Sequence, residues 1–312
     1  MSAGTPGTVR IGTRGSALAL AQTGTFASAL EAKTGVTVEL VTITTEGDRS
    51  KASLASLGGT GVFASALREA LMVGECDAIV HSLKDLPTAP FPGLTIAAIP
   101  KRQDARDALC ARDGLTLDTL PAGARVGTGS PRRVAQLLAR RPDVEVVDIR
   151  GNVDTRLARI ADGGDLDAVL LAAAGLGRLG RLDAVTEFLE IDGWPTAPGQ
   201  GALAIEVRAG EERLVKSLDH ATTRIIVEAE RRVLQLLEAG CSAPIGANAI
   251  VDDGLLFLSA RVYSADGSER LTSSHALYVA DVQNPAVDVA DRVARELLDA
   301  GAARLAPLGT SS

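Results

Sequence analysis

The sequence predicts an α/β protein in which two doubly wound lobes precede a small C-terminal α+β domain. Three observations support this fold class. The chain has 312 residues, of which 46% are hydrophobic, so it is too long for one core and too apolar for disorder. Strand-like runs alternate with helical patterns over most of its length, as in parallel sheets covered by helices. The last part alternates in the manner of antiparallel strands.

The individual elements follow from hydrophobic periodicity, taken in chain order. The first half predicts strands at 9–12, 37–43 and 78–80, and helices from residue 17 and at 62–73. The second half predicts strands at 125–126, 144–148 and 168–171, and helices at 131–139 and 153–161. The remainder predicts strands at 202–207, 254–263 and 270–279, and helices at 222–238 and 288–300. Asp266-Gly267 is typical of a turn between the last two strands.

A repeated turn relates the two halves. In each half a strand enters a turn that contains glycine, threonine and serine, and a helix begins at Ser16 or Ser130. An aspartate, Asp77 or Asp167, also precedes a corresponding strand in each half. Free N–H groups and the positive end of the helix dipole lie at such serines, although ordinary N-capping explains them equally well. This repeated strand, turn and helix pattern predicts paired lobes, each with a candidate anion-binding turn.

Charge and cysteine content narrow the class of protein. A net charge of −7 argues against nucleic-acid binding, which normally requires a basic surface. Cys76, Cys110 and Cys241 are far apart and form no CxxC pair, which argues against a disulfide framework and a structural zinc. No apolar run reaches the roughly 18 residues that span a bilayer, and residues 1–8 do not resemble a signal peptide. We therefore expect a soluble, cytoplasmic protein without a metal or membrane partner.

Arginines cluster where the predicted strands end. Any one of them could be a solvated surface residue, but the carboxyl ends of parallel strands are where open α/β sheets bind ligands. Guanidinium groups suit bidentate binding of carboxylates, and cations that open a helix are unfavourable unless an anion is present. The pattern predicts a ligand with several carboxylates or phosphates. The arginines are Arg14, Arg132, Arg133, Arg150, Arg156 and Arg178.

Two further residues are candidates for chemistry. Asp85 follows the strand at 78–80 beside Lys84, and it would stay ionised in a cleft rich in arginine, although a surface ion pair is the simpler explanation. His81 is better explained as a structural hydrogen-bonding residue. Cys241 lies in a loop after a helix, where a thiol can be exposed and nucleophilic, although the helix dipole there would not lower its pKa. Cys76 and Cys110 border apolar strands and are predicted to be buried.

These motifs together resemble the hydroxymethylbilane synthase family, also called porphobilinogen deaminase. The matching segments occur in the family's order along the whole chain, at 11–16, 80–85, 126–133, 150–156, 198–201 and 240–244. The resemblance implies three domains, of which the first two are like the lobes of periplasmic binding proteins and the third carries the cysteine. We place lobe 1 at 1–102 and 200–219, lobe 2 at 103–199 and the C-terminal domain at 220–312.

The resemblance also implies an activity. The family condenses four porphobilinogen molecules head to tail into hydroxymethylbilane and releases ammonia, in tetrapyrrole and haem synthesis. It uses a dipyrromethane primer bound by a thioether to the cysteine that matches Cys241, and it needs no metal. Each pyrrole carries an acetate and a propionate, which agrees with the arginines. A monomer is expected from the resemblance alone.

The resemblance assigns roles to individual residues. Asp85 would be the catalytic carboxylate, which interacts with pyrrole nitrogens. The primer would be bound by Lys84, Thr128, Ser130, Arg132, Arg133 and Arg156, to which we add Ser16. The incoming substrate would be bound by Arg14, Arg150, Arg178, Phe63 and Gln200.

The chain departs from the family pattern at three positions. Ser56 and Thr60 stand where members of the family have lysines in the segment before the second helix, which puts a role of such lysines in doubt here. Gly129 replaces a serine in the second anion-binding turn, which removes a hydroxyl donor and leaves the backbone N–H group. None of these changes affects Asp85 or Cys241, so activity is expected to survive.

Two other functions fit part of the sequence. A non-enzymatic bilobal binding protein or effector domain for a small polycarboxylate would share the paired lobes and the arginines, but it would not need a thiol on a third domain. A phosphate-handling enzyme is a weaker alternative, because the sequence contains neither a P-loop motif nor a dinucleotide-binding fingerprint.

Overall fold

The computed structural model describes residues 7–44, 61–239, 243–306 and 308, except for the side chains of residues 61–63. The chain forms two compact units. The first comprises Met1–Arg102 and Ala202–Arg224, and the second comprises Gln103–Gly201 and Ile225–Ser312. Across the described ranges, no helix is both long enough and apolar enough to cross a membrane. The three-domain boundaries drawn from the sequence stay a prediction.

The strands are β1 (Thr8–Thr13), β2 (Thr37–Thr42), β3 (Ala78–Ser82), β4 (Leu94–Ala98), β5 (Asp107–Ala111), β6 (Arg125–Gly127), β7 (Glu145–Val147), β8 (Ala168–Ala172), β9 (Glu187–Leu189), β10 (Leu203–Arg208), β11 (Ile245–Asp252), β12 (Leu255–Tyr263) and β13 (Arg270–Tyr278). The helices are α1 (Ala17–Thr34), α2 (Gly61–Met72), α3 (Pro131–Arg140), α4 (Val153–Leu157), α5 (Ala173–Arg178), α6 (Ala221–Leu236), α7 (Pro285–Asp299) and α8 (Ala302–Leu305). Each predicted element is found with shifted ends, and the helix predicted to reach Ala161 ends in a 3₁₀ turn over Ala158–Ile160.

The two units contain five-stranded sheets of the same topology. The order is β2-β1-β3-β10-β4 in the first unit and β7-β6-β8-β5-β9 in the second. The first three strands of each order are parallel, whereas the inserted strand, β10 or β5, is antiparallel to both of its neighbours. The predicted paired lobes are therefore confirmed. The sequence did not predict the antiparallel strand of each sheet, which pairs with strands from a distant part of the chain.

The same pair of hydrogen bonds joins β1 to the start of β3 in the first sheet and β6 to the start of β8 in the second. The backbone N–H of Arg10 donates to Oδ2 of Asp77 at 2.9 Å, and that of Arg125 donates to Oδ2 of Asp167 at 2.7 Å. Each aspartate N–H returns a hydrogen bond to the arginine carbonyl. The repeated aspartates of the sequence, Asp77 and Asp167, thus make the same contact in both sheets.

The C-terminal part of the second unit is a separate α+β layer. Strands β11, β12 and β13 form an antiparallel sheet, and the apolar face of α7, which includes Val289 and Val293, belongs to the same core as Leu256 and Leu258 of β12. The turn between β12 and β13 contains Gly267 at φ +73°, a conformation that favours glycine. This confirms the predicted hairpin and the predicted C-terminal helix.

Candidate active site

Three parallel strands of the second unit end at one edge, and predicted ligand-binding residues follow each of them. The turn of Thr128 and Ser130 follows β6, Arg150 follows β7, and Arg178 ends α5, the helix after β8. Because β6 lies between β7 and β8, the carboxyl ends of these strands are adjacent. The structure therefore brings the turn and both arginines to the edge where such sheets bind ligands.

The turn before α3 is tightly packed. Ser130 is the N-cap, its Oγ accepting from the N–H of Arg133 at 3.5 Å, and Oγ1 of Thr128 accepts from the N–H of Ser130 at 3.3 Å. A Cβ atom at Gly129 would lie 2.7 Å from the carbonyl oxygen of Ile149, which is closer than real Cβ contacts. The glycine that departs from the family pattern thus has a local cause. Its contact also places the turn against the loop that carries residue 150.

Two of the other arginines of this edge, Arg156 and Arg178, donate to backbone carbonyl oxygens. Nε of Arg156 donates to Gly151 at 2.9 Å, and Nη2 of Arg178 donates to Gly201 at 2.8 Å, while Arg150 is exposed. Burial lowers the pKa of Arg178 to about 10. A partly desolvated guanidinium bonded to a carbonyl group keeps its full positive charge available for an anion.

Arg132 and Arg133 are buried and share one carboxylate. Nη1 of Arg132 lies 2.8 Å from Oδ2 of Asp107, and Nη2 of Arg133 lies 2.6 Å from Oδ1. Burial alone would raise the pKa of Asp107, but the two guanidinium groups hold it well below its usual range. The sequence assigned both arginines to the primer. The structure ties them to Asp107, and a direct contact with the primer stays a prediction.

Asp107 is the centre of a larger hydrogen-bonded network. It is fully buried, and it also accepts from Nε1 of Trp194 at 2.9 Å and from Nε2 of Gln200 at 2.8 Å. Gln200, predicted to bind substrate, is therefore fully buried within the second unit. Asp107 and Trp194 are not among the residues that the sequence predicted for the site. The available signal was a charged residue at the start of an apolar run, Asp107-Ala108-Leu109-Cys110.

This network carries an excess of positive charge. Two guanidinium groups face one carboxylate, and within the described part of the chain the buried Nε atoms of Arg132 and Arg133 have no hydrogen-bond partner. Buried charge that is not fully compensated is costly, and it favours a nearby anion. Both arginines lie in the first turn of α3, where the helix dipole adds to the positive potential.

The corresponding edge of the first unit carries the remaining candidates. Arg14 and Ser16 follow β1, and Lys84 and Asp85 follow the adjacent parallel strand β3. Ser16 caps α1, its Oγ accepting from Ala19 at 3.3 Å. Asp85 is exposed at the end of a 3₁₀ turn over Leu83–Asp85. The structure brings these four residues to one edge, as their positions after parallel strands predict.

Several predictions fall outside the described residues. Cys241, Ser56 and Thr60 lie outside them, as does the side chain of Phe63. Cys76 and Cys110 are fully buried as predicted, and burial raises the pKa of each thiol to about 11. Among the described side chains, no group of three or more His, Cys, Asp or Glu residues is arranged to bind a metal ion.

Comparison with known families decides between the possible classes. Residues 9–216 match the family model described as porphobilinogen deaminase, dipyromethane cofactor binding domain, and residues 224–299 match the porphobilinogen deaminase C-terminal domain. The chain belongs to the porphobilinogen deaminase family. The resemblance drawn from the six motifs is thereby confirmed, and so is the expectation of an enzyme with a dipyrromethane cofactor domain.

Individual relatives support the assignment over almost the full length. The porphobilinogen deaminase of Leifsonia xyli subsp. xyli is 62% identical, with 97% of this chain and 95% of that protein aligned. That of Thermobifida fusca is 53% identical, with 92% and 91% aligned. A solved periplasmic substrate-binding protein of an ABC transporter from Coxiella burnetii also matches, at 14% identity over 67% of this chain and 91% of that chain, with a TM-score of 0.43.

Proposed function

We propose that this chain is a transferase that condenses four porphobilinogen molecules head to tail, with release of ammonia, on a dipyrromethane primer attached to Cys241. Water then hydrolyses the bond between primer and product, which frees linear hydroxymethylbilane and leaves the primer on the enzyme. The observation that carries the proposal is the match of both family domains, which together extend from residue 9 to residue 299. The arginine-rich edge of the second unit supports it independently, since every pyrrole of the primer and product carries two carboxylates.

The residues of the second unit fit a primer that bears carboxylates. Ser130 and the N-terminus of α3 offer N–H groups and a positive dipole, and Arg150 and Arg156 follow at the adjacent strand end. The buried cluster of Arg132, Arg133 and Asp107 adds one uncompensated positive charge. When bound, the dipyrromethane supplies the pyrrole carbon to which substrate units are added. The arginines bind its carboxylates and so hold it in one orientation.

Arg178 suits an incoming substrate molecule. Its guanidinium is half-buried, donates to the carbonyl oxygen of Gly201 and has a pKa lowered to about 10 by desolvation. A carboxylate that binds there replaces lost hydration and restores the ordinary preference for the charged form. We assign Arg178, with Arg14 and Arg150, to the acetate and propionate groups of porphobilinogen.

Asp85 supplies the electrostatic part of the reaction. Departure of ammonia leaves a positive charge delocalised over the pyrrole of the substrate, and a carboxylate near that ring stabilises the charge. Asp85 ends a short 3₁₀ turn at the edge of the first unit, where it is exposed and able to meet a substrate. We assign the adjacent Lys84 to a carboxylate of the primer, as the family resemblance implies. As this charge develops, the Asp85 carboxylate also accepts a hydrogen bond from the pyrrole N–H.

Intact mass spectrometry of the purified protein tests the proposal. Wild type should be heavier than its sequence by two linked pyrrole units, and Cys241→Ser should have the unmodified mass and no turnover. A fully active wild type without the adduct would overturn the proposal. Wild type that binds porphobilinogen but releases no ammonia would instead favour the non-enzymatic binding protein.

A second experiment tests the role of Asp85. Asp85→Asn keeps the shape and removes the charge, so it should bind porphobilinogen and keep the adduct while its turnover falls by about 10²–10³-fold. The measurement is ammonia release per adduct-bearing enzyme. Turnover within a few-fold of wild type would contradict the assigned role.

We further propose that the chain acts as a monomer, as the family resemblance implies. We also propose that it acts in the cytoplasm, as its hydropathy indicates, and without a nucleic-acid partner, as its net charge of −7 indicates. Light scattering after size-exclusion chromatography should give the mass of one chain at working concentration. Cell fractionation should recover the protein in the supernatant. A stable dimer, or recovery with membranes, would contradict these assignments.

A further inference from the structure

A buried charged network in the first unit has no part in the mechanism described above. Nε and Nη2 of Arg68, on α2, donate to the two carboxylate oxygens of Glu206, on β10, at 2.9 and 2.8 Å. Nε2 of His81, on β3, lies 3.0 Å from Oε2 of Glu206. All three residues are at most 8% exposed, and the guanidinium of Arg68 also stacks over Phe91 at 4.8 Å. The network therefore joins a helix and two strands.

Glu206 accepts the hydrogen bonds of this network. Burial alone would raise the pKa of Glu206, but hydrogen bonds from His81 and Arg68 lower it to about 2. Glu206 is thus an acceptor only, so Nε2 of His81 carries the proton in their hydrogen bond. This hydrogen bond fixes the orientation of the His81 ring.

The network lies directly before the turn that presents Asp85. β3 ends one residue after His81, and the Leu83–Asp85 turn follows immediately. The N–H of Leu83 donates to the carbonyl oxygen of Ala202 at 3.1 Å, just before β10 begins. The segment around β10 therefore contacts the end of β3 and the following turn at two points. One is the backbone hydrogen bond from Leu83, and the other is the hydrogen bond between Glu206 and His81.

Stability alone gives little reason for charged residues here. A buried ion pair is often no more stabilising than well-packed apolar side chains, because both charges lose their hydration. Leu67, Leu71 and Ile79 form an apolar cluster from the same helix and strand, so apolar packing was available. Hydrogen bonds from a bidentate guanidinium and an imidazole also fix the relative orientation of the helix and the strands. Each such bond restricts the angle as well as the distance.

We propose that Glu206, supported by Arg68, is a positioning residue for Asp85. Through His81 it fixes the carboxyl end of β3 and so the place where the Asp85 carboxylate meets the substrate. The proposal rests on the function proposed above, in which Asp85 acts on the substrate. A small displacement of such a carboxylate is sufficient to lower the rate, because electrostatic stabilisation requires the charge to be in place beforehand.

The main experiment compares Glu206→Gln with wild type and with Asp219→Asn. Glutamine keeps the size of the side chain but removes the charge and one acceptor. Asp219 is a matched control in the same unit, because it also pairs with an arginine, Arg224, at 2.8 Å and accepts from a backbone N–H. Adduct content is measured by intact mass, and kcat and KM are calculated per adduct-bearing enzyme.

We expect Glu206→Gln to keep its adduct and its KM within about twofold while kcat falls about tenfold. Asp219→Asn should keep both constants even if its melting temperature falls. A merely structural role for Glu206 would lower the melting temperature and leave kcat per loaded enzyme unchanged, and that result would overturn the proposal. If Glu206→Gln does not fold, Arg68→Lys takes its place under the same criteria, because lysine keeps the charge and loses the bidentate geometry.

A double-mutant cycle with Asp85→Glu tests whether the effect acts through Asp85. Asp85→Glu keeps a carboxylate but displaces it by one methylene group. If Glu206 acts by placing Asp85, the fold-decrease in kcat of the double variant should be clearly smaller than the product of the fold-decreases of the two single variants. Fully multiplicative losses would refute the positioning role. Wild type without ammonia release would instead show that the proposed function fails, so the two failures are distinguishable.

Discussion

Replacing Asp107 by asparagine should destabilise the second unit strongly. The carboxylate is fully buried and accepts from four donors, two of them guanidinium groups at 2.6 and 2.8 Å. Asparagine keeps the shape, but it turns one acceptor into a donor and leaves Arg132 and Arg133 without a counter-charge. Removal of one partner from a buried charged cluster typically costs about 3–5 kcal/mol.

The assay is thermal and urea-induced unfolding of wild type, Asp107→Asn and a surface control. At roughly 2–4 °C per kcal/mol, the expected loss corresponds to a fall in melting temperature of about 10 °C. Asp118→Asn is the control, because Asp118 pairs with Arg140 where both side chains are largely exposed. Its effect should stay within about 0.5 kcal/mol. Equal effects of the two substitutions, or a loss below about 1 kcal/mol for Asp107→Asn, would refute the reasoning.

The pH dependence gives a second check on the same residue. The pKa of Asp107 is held well below its usual range in the folded protein. Its contribution to the free energy of unfolding is therefore complete above its unfolded pKa and is lost only as the pH falls through the lower, folded value. The stability difference between wild type and Asp107→Asn should be constant at neutral and mildly acidic pH. A difference that disappears near neutral pH would mean that the carboxylate is not ionised.

Three further predictions concern single positions. Gly129→Ala puts a Cβ atom 2.7 Å from the carbonyl oxygen of Ile149. The free energy of unfolding in urea should therefore fall by about 1–3 kcal/mol. An unchanged midpoint of urea unfolding would contradict the close approach. Arg178→Lys keeps the positive charge but removes the planar guanidinium that donates two parallel hydrogen bonds. KM for porphobilinogen should therefore rise about tenfold at unchanged adduct mass. An unchanged KM would exclude a substrate contact. Glu206 has a pKa lowered from 4.5 to about 2, so its contribution of about 3 kcal/mol is complete above pH 4.5 and lost as pH falls towards 2. The stability difference from Glu206→Gln should shrink over that window, and its persistence at pH 2 would be evidence against the assignment.

The parts of the fold that the sequence predicted are those with a local signal. Around Ser130 the sequence shows a glycine in the turn, a serine that caps a helix and the amphipathic pattern of that helix. Each of these signals lies within a few residues of the others. Strand β5 has no such signal, because all five of its residues are buried and nothing alternates. Its antiparallel insertion beside β8 depends on contacts between distant parts of the chain. A pattern that predicts parallel strands from helical connections could not anticipate it.

The candidate site divides in the same way. Position after a parallel strand was enough to bring Arg150, Arg178 and Asp85 to the edges of their sheets. It was not enough to predict what Arg132 and Gln200 contact, because their shared partner, Asp107, lies in β5, whose pairing the pattern did not predict. A residue that follows a strand can face the ligand or turn back into the core, and sequence position does not distinguish these orientations.

The shared topology of the two sheets shows where their chemistry differs. The turns after β1 and β6 each hold a helix-capping serine, Ser16 and Ser130. The segment after β3 carries Asp85 in a short 3₁₀ turn, and the segment after β8 carries Arg178 at the end of α5. Equivalent places in one fold thus present a carboxylate in one lobe and a cation in the other. Binding a polyanion needs the cation, and stabilising a substrate cation needs the carboxylate, so the difference between the lobes matches the two requirements of the proposed reaction.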